Sequence, residues 1–122
     1  MFWGKLDEKG RLLRADRDWQ IDADFLRACY AGELDAVRSM IAGGAAIDQT
    51  DKASGLSALH IAVGTNNLPL VRMLVEEHQA GFFADRSGRW PTLIAAECGV
   101  DDDLSDYIVA AEARFLGQES SV

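Results

Sequence analysis

The chain has 122 residues, of which 48% are hydrophobic and 26% charged, and this composition fits a single folded domain with a continuous core. Its longest apolar runs are too short to cross a bilayer, and its two cysteines are too few for a disulfide framework. The formal net charge of −8 disfavours direct binding to nucleic acid, so we expect a cytoplasmic protein with no membrane segment.

Residues 1–21 lie outside the pattern that organises the rest of the chain and are interpreted as an N-terminal extension. Two short segments joined by a charged turn predict a hairpin there. An isolated hairpin is marginally stable in water, so we expect Phe2, Trp3 and Trp19 to pack on the domain that follows. Contact of these three side chains with a partner, or with a second copy of the chain, is the alternative.

Three ten-residue stretches align with one another, at residues 23–32, 57–66 and 90–99. Their last residues lie 34 and then 33 positions apart. Each stretch contains a pair of small side chains, which lets neighbouring helices approach closely, and each closes on Gly or Asn, which readily take the left-handed conformation that ends a helix. Each stretch therefore predicts the first helix of a repeat.

Each stretch is followed by apolar residues at helical spacing, which predict a second helix. The apolar stripes are Leu34, Val37, Met40 and Ile41, then Leu70, Val71, Leu74 and Val75, then Leu104, Tyr107, Ile108, Ala111 and Phe115. Pro69 is compatible with the first turn of its helix, where a missing N–H does no harm. Three copies of one helix pair predict an all-α repeat solenoid.

Three sequence motifs resemble those of the ankyrin-repeat family. Ser57–His60 is similar to the family's Thr-Pro-Leu-His, and Gly43–Asp48 to the Gly-Ala-Asp-Val-Asn that leads into a hairpin loop. Asp85–Pro91 is similar to the turn that opens a repeat, with Trp90 in place of Thr. The resemblance implies an ankyrin-like stack of helix-turn-helix repeats joined by β-hairpin-like loops.

The domain implied by the resemblance spans residues 22–116, and residues 117–122 are expected to form a disordered tail. Its repeats are expected at approximately 22–50, 51–84 and 85–116. The last helix follows the acidic run Asp101–Asp103 and is expected to cap the stack. His78–Gly81 departs from the family pattern, so the turn before Phe82 is expected to be irregular.

The sequence carries no recognisable catalytic, metal-ligand or cofactor motif, so no cofactor and no enzyme activity are expected. The resemblance implies that His60 binds backbone groups near the repeat turn. Cys29 occupies a small, packed position and is expected to be an inert buried thiol. An alternative function is a small ligand-binding protein or enzyme, whose concave groove would contain Cys98, Glu97 and the acidic run Asp101–Asp103.

The family resemblance implies a protein–protein interaction module, an adaptor or inhibitor that recognises another protein. Binding is expected at the loop tips, residues 49–56 and 83–90, and on the exposed side of the first helices. The second tip combines aromatic residues with two arginines, the types that dominate interface hot spots. The expected partner-binding residues are Arg27, Tyr30, Lys52, Ile61, Thr65, Phe83, Arg86, Arg89, Trp90 and Glu97.

Two residues of the second loop have a competing structural interpretation, in which Phe82 and Trp90 fill the core instead of contacting a partner. The negative charge favours a basic protein as the partner, with no direct contact to nucleic acid or membrane. On its own the protein is expected to be a monomer or a weak dimer.

Overall fold

The computed structural model describes residues 23–120, and the side chains of residues 23–117. The predicted N-terminal extension with Phe2, Trp3 and Trp19 therefore lies outside the described residues and stays a prediction. The helices of the described part are α1 (Asp24–Ala31), α2 (Leu34–Ala42), α3 (Ala58–Gly64), α4 (Leu68–Arg72), α5 (Pro91–Cys98) and α6 (Asp102–Ser120). A π-helical turn, Met73–Glu77, continues α4.

The helices form three consecutive pairs, which we call the first, second and third repeat: α1 with α2, α3 with α4, and α5 with α6. The first helices of the pairs also contact one another in a row, α1 against α3 and α3 against α5. This stacking confirms the predicted all-α repeat solenoid. No helix of the described part is long and apolar enough to cross a membrane.

The helix ends follow from local sequence. The residues that close the three aligned stretches all have left-handed backbones, with φ of 75° at Gly32, 59° at Asn66 and 62° at Gly99. At the start of α3, the Ser57 hydroxyl accepts a hydrogen bond from the His60 N–H, and the His60 ring accepts one from the Ser57 N–H. This reciprocal capping satisfies two N–H groups that a helix start otherwise leaves unpaired.

The core runs through the whole stack, and α3 lies at its centre. Every residue from Ala58 to Val63 is buried, because α3 is covered by α1 on one side and α5 on the other. The second helices bury one stripe each, represented by Val37, Leu70 and Ile108. The stripes are those that the 3.6-residue apolar spacing predicts.

The turn before Phe82 is irregular, as the sequence predicts. The π-helical turn ends α4, and Gln79 has a positive φ of 49°. Phe82 is buried, and its ring centroid lies 5.1 Å from that of Phe115 on α6. Phe82 therefore belongs to the core, as its structural interpretation holds. The helix α6 continues to Ser120 and so includes four residues of the segment 117–122 for which a disordered tail is predicted.

Candidate functional site

The first hairpin loop joins the first and second repeats and is organised by Asp51. An antiparallel bridge pairs Thr50 with Ser57, and the Asp51 N–H donates to the Leu56 carbonyl at 2.9 Å. The buried Asp51 carboxylate accepts hydrogen bonds from the N–H and the hydroxyl of Ser54, both at 2.9 Å. A single carboxylate and neutral donors within the loop therefore hold this turn in shape.

The second hairpin loop joins the second and third repeats and is organised by Asp85, whose side chain is 0% exposed. Its carboxylate accepts hydrogen bonds from the Ser87 N–H at 2.9 Å and from the Arg89 N–H at 2.8 Å. The Arg89 Nε also donates to it at 2.8 Å, while the Arg89 Nη1 reaches Glu97 on α5 at 3.2 Å. The second loop is thus tied to α5 by a chain of charged groups.

The ionisation of this chain follows from the same contacts. Burial works against the charged form of Asp85, but the hydrogen bonds from Arg89 and Ser87 and the charge of Arg89 outweigh it, so the pKa of Asp85 lies below its ordinary value. Burial also opposes the charge of Arg89, yet the hydrogen bonds to Asp85 and Glu97 raise its pKa. Both groups are therefore charged at neutral pH.

His60 connects the second loop to the central helix. Its Nδ1 accepts the Ser57 N–H at 3.1 Å, and its Nε2 lies 2.9 Å from the Arg89 carbonyl oxygen. Burial lowers the pKa of His60, so the ring is neutral and Nε2 carries the proton donated to Arg89. The structural role that the family resemblance implies for His60 is confirmed.

The two loops lie side by side and contact each other through their main chains. The Arg86 N–H donates to the Ser54 carbonyl at 3.0 Å. A Cβ atom added at Gly55 would lie only 2.6 Å from the Arg86 nitrogen, so this approach needs glycine. The loops form one continuous surface because of this contact.

Between the loops is a groove of about 590 Å³, which we call the loop groove. Its lining includes Lys52 from the first loop and Phe83 and Arg86 from the second. Lys52 and Arg86 are exposed, and Phe83 is half-buried. The loop groove therefore presents an aromatic surface flanked by two cations.

The structure brings together three of the predicted partner-binding residues, Lys52, Phe83 and Arg86, in the loop groove. The predicted Arg89 and Trp90 lie beside it and serve the fold. Arg89 is engaged with Asp85 and Glu97, while Trp90 is half-buried against the core at the start of α5.

The other predicted residues lie on the first helices of the repeats. Arg27 is exposed and pairs with Asp24 at 3.3 Å, and Tyr30 is half-buried. Thr65 is half-buried, and its hydroxyl donates to the Ile61 carbonyl at 2.8 Å. These residues remain candidates for partner contact, together with the exposed Glu97.

The prediction that Ile61 contacts a partner is wrong, because its side chain is fully buried between the inner helices. Ile94, at the equivalent position one repeat later, is also fully buried. The recurrence of isoleucine after 33 residues was the available signal of a core position. The first repeat has the exposed Arg27 instead, since no earlier repeat of the described chain covers it.

The alternative site around Cys98 loses its nucleophile, because Cys98 is buried in the core. Cys29 is buried as predicted, and burial raises the pKa of its thiol to about 12. Asp51 and Asp85 were not among the residues expected at the site, although both begin a loop and lie 34 residues apart. That repeat spacing is the signal that points to their shared role in shaping the loops.

Stacked helix pairs whose connecting loops meet in one surface define the class of repeat solenoids that present loop tips and inner helices for recognition. A family model described as ankyrin repeats, in three copies, matches residues 25–115. The chain belongs to the ankyrin-repeat family. Members of this family are generally protein–protein interaction modules and are typically non-catalytic. Comparison with curated proteins finds no match to the chain.

Proposed function

We propose that this protein is an adaptor or inhibitor that binds a partner protein at the loop groove and performs no catalysis of its own. The observation that carries the proposal is the placement of Lys52, Phe83 and Arg86 around one groove on two mutually bonded loops. Aromatic residues and arginine supply most of the energy at protein interfaces, so these side chains suit recognition.

The rigidity of the loops supports the same proposal. Asp51 and Asp85 spend their carboxylates on holding the turns in shape, and the Arg86 N–H is bonded to Ser54. Side chains displayed on a frame of this kind lose little conformational entropy when a partner docks. Lys52, Phe83 and Arg86 are therefore presented in an arrangement that is largely in place before binding.

The net charge of −8 supports a basic protein as the partner, since opposite charge accelerates encounter. We propose a cytoplasmic location on the composition of the chain. Exposed carboxylates at the start of α6, namely Asp101, Asp102 and Asp103, contribute to this field at a distance from the loop groove.

The test is capture of the partner from a lysate of the native host by the tagged full-length protein, followed by calorimetric titration with the purified partner. We expect a stoichiometric complex that weakens as salt is raised. Phe83→Ala and Arg86→Ala should each weaken binding about tenfold or more, since a hot-spot truncation costs about 2 kcal/mol. Arg114→Ala removes an exposed arginine on α6, outside the loop groove, and is the matched control for Arg86.

Unchanged affinity in both loop variants would contradict the proposal, provided that their melting temperatures match that of the unmodified protein. The melting control matters for Phe83, because its ring packs beside Gly81. A partner of low isoelectric point that binds more tightly at high salt would contradict only the basic character of the partner.

A further inference from the structure

The large hydrophobic side chains that are exposed in the described part of the chain all lie on the third repeat. Leu93 on α5 is 44% exposed, and Val109 and Leu116 on α6 are 48% and 40% exposed. The terminal repeats of a solenoid need a polar outer surface to stay soluble as single chains. The outer side of the last repeat departs from that rule.

The exposed residues of α6 lie on the side of the helix that faces away from the second repeat. Tyr107 marks the opposite side, because its hydroxyl donates to Glu76 of the second repeat at 2.7 Å. Val109 follows two residues later, about 200° around the helix, and Leu116 lies seven residues after Val109, on nearly the same side.

Leu93 and Ala96 are the exposed apolar residues of α5. Between the two helices, the Glu112 carboxylate of α6 accepts the Thr92 N–H of α5 at 3.1 Å, so part of its charge is engaged. We call the surface formed by Leu93, Ala96, Val109 and Leu116 the end face.

The end face lacks the polar groups with which the second repeat holds the third. In the second repeat, His60 binds a carbonyl of the following loop at 2.9 Å. The Asn66 side chain accepts the Asp101 N–H at 3.0 Å and donates to its carboxylate at 3.1 Å. Thirty-three residues later these positions hold Leu93 and Gly99. The end face is therefore apolar where a further repeat of the same kind would need hydrogen-bond partners.

We infer that the end face is the contact surface for a second copy of this chain, in a two-fold dimer with the α6 helices antiparallel. The face carries no unengaged charge that would select a different protein. A two-fold axis near Glu112 places Val109 of one copy against Leu116 of the other, so each copy offers what the other needs.

The charge of α6 favours the antiparallel orientation. Its acidic residues, Asp102, Asp103 and Asp106, are exposed and lie near its first turn. In the antiparallel arrangement the two acidic ends lie about 25 Å apart, given a rise of about 1.5 Å per residue. That separation exceeds the Debye length of about 8 Å at physiological salt, so repulsion between the two acidic copies is screened.

The size of the end face sets the strength of the dimer. A helix of 19 residues is about 28 Å long, and two adjacent helices are about 20 Å wide, which gives on the order of 550 Å² per copy. A standard stable interface covers about 800 Å² per partner. The dimer is therefore weak and reversible, with a dissociation constant in the micromolar range or above.

The test is sedimentation equilibrium of the full chain from about 1 µM to 1 mM. The mass is expected to rise from that of one chain to that of two as concentration increases. Val109→Glu and Leu116→Glu should each weaken the dimer at least tenfold, because a charge would be buried in an apolar contact. Ala110→Glu adds the same charge at an exposed position of α6 about 100° away from Val109 and should leave the dissociation constant unchanged.

Three results would overturn the inference. The first is the mass of a single chain at every concentration. The second is a dimer that Val109→Glu and Leu116→Glu leave intact, which would place the contact elsewhere. The third is a monomer that Leu116→Glu destabilises to heat while Ala110→Glu does not, which would mean that residues of the same chain cover the end face.

Discussion

The two hairpin loops begin with aspartates at equivalent positions, 34 residues apart, but they are stabilised in different ways. Asp51 is satisfied by the neutral donors of Ser54 within its own loop. Asp85 accepts main-chain N–H groups and also the guanidinium of Arg89, which continues to Glu97 on α5. The first loop is therefore a local turn, while the second is bonded to the helix that follows it.

The comparison teaches that repeats of one backbone shape can differ in how firmly their loops are held. Each loop needs a buried carboxylate to pair the N–H groups of its turn. Only the second loop adds charged bonds that reach another element, and this is the loop that carries Phe83 and Arg86. Extra rigidity thus coincides with the side chains that we propose for partner recognition.

The largest expected effect comes from removing the two aspartates. Asp85→Ala leaves the Ser87 and Arg89 N–H groups and a half-buried guanidinium without their acceptor, and we expect a loss of about 3 kcal/mol in the free energy of unfolding. Asp51→Ala removes only the neutral bonds from Ser54 and should cost about 1.5 kcal/mol. Urea titration measures both, and equal losses would show that the charged bonds of the second loop add nothing.

A second pair of substitutions tests the contact between the loops. Gly55 and Gly88 both have positive φ, at 77° and 85°. A Cβ atom at Gly88 meets nothing within 4 Å, so Gly88→Ala should cost only the strain of the left-handed backbone, about 1 kcal/mol. Gly55→Ala also forces the Arg86 main chain away and should cost about 2 to 3 kcal/mol.

Thermal or urea unfolding of the two alanine variants is the measurement. If Gly55→Ala and Gly88→Ala cost the same, the loops do not depend on their mutual contact. A weaker partner affinity in Gly55→Ala than in Gly88→Ala would extend the comparison to binding, because only the first displaces Arg86.

The smallest expected effect is in the pH dependence of the second loop. The pKa of Asp85 is lower in the folded protein than its ordinary value of about 3.9 in an unfolded chain. Its charge therefore contributes stability that is fully present above about pH 5 and is lost as pH falls through the folded-state pKa. The stability difference between the unmodified protein and Asp85→Asn should be constant from pH 5 to 7 and should narrow below about pH 4. Urea titrations at each pH measure this, and a difference independent of pH would contradict the assignment.

The sequence was informative wherever one repeat determines its own structure. The helix ends at Gly32, Asn66 and Gly99 depend on residues a few positions apart, and the apolar stripes depend on helical spacing, so both could be predicted. The resemblance to the family likewise led to the role of His60, because its motif lies within one turn of helix.

The sequence misled where burial depends on a neighbouring repeat. Ile61 lies on a first helix at a position that only the stack covers, so helical spacing alone does not show whether it faces a partner or the core. The engagement of Arg89 also escaped prediction, because it requires Glu97, which lies eight residues away on the next helix. Lys52 and Phe83 share the loop groove only because the stacking brings two loops together.

The central position of α3 has a consequence for how the protein comes apart. Because α3 contacts both α1 and α5, its core residues depend on two neighbours, whereas each outer first helix packs on a single inner neighbour in the described stack. Loss of either outer repeat uncovers one side of α3 and leaves the other in contact. Unfolding therefore proceeds as in a short one-dimensional chain, by fraying from the ends, and the amides of α3 are the last to become available for exchange with solvent.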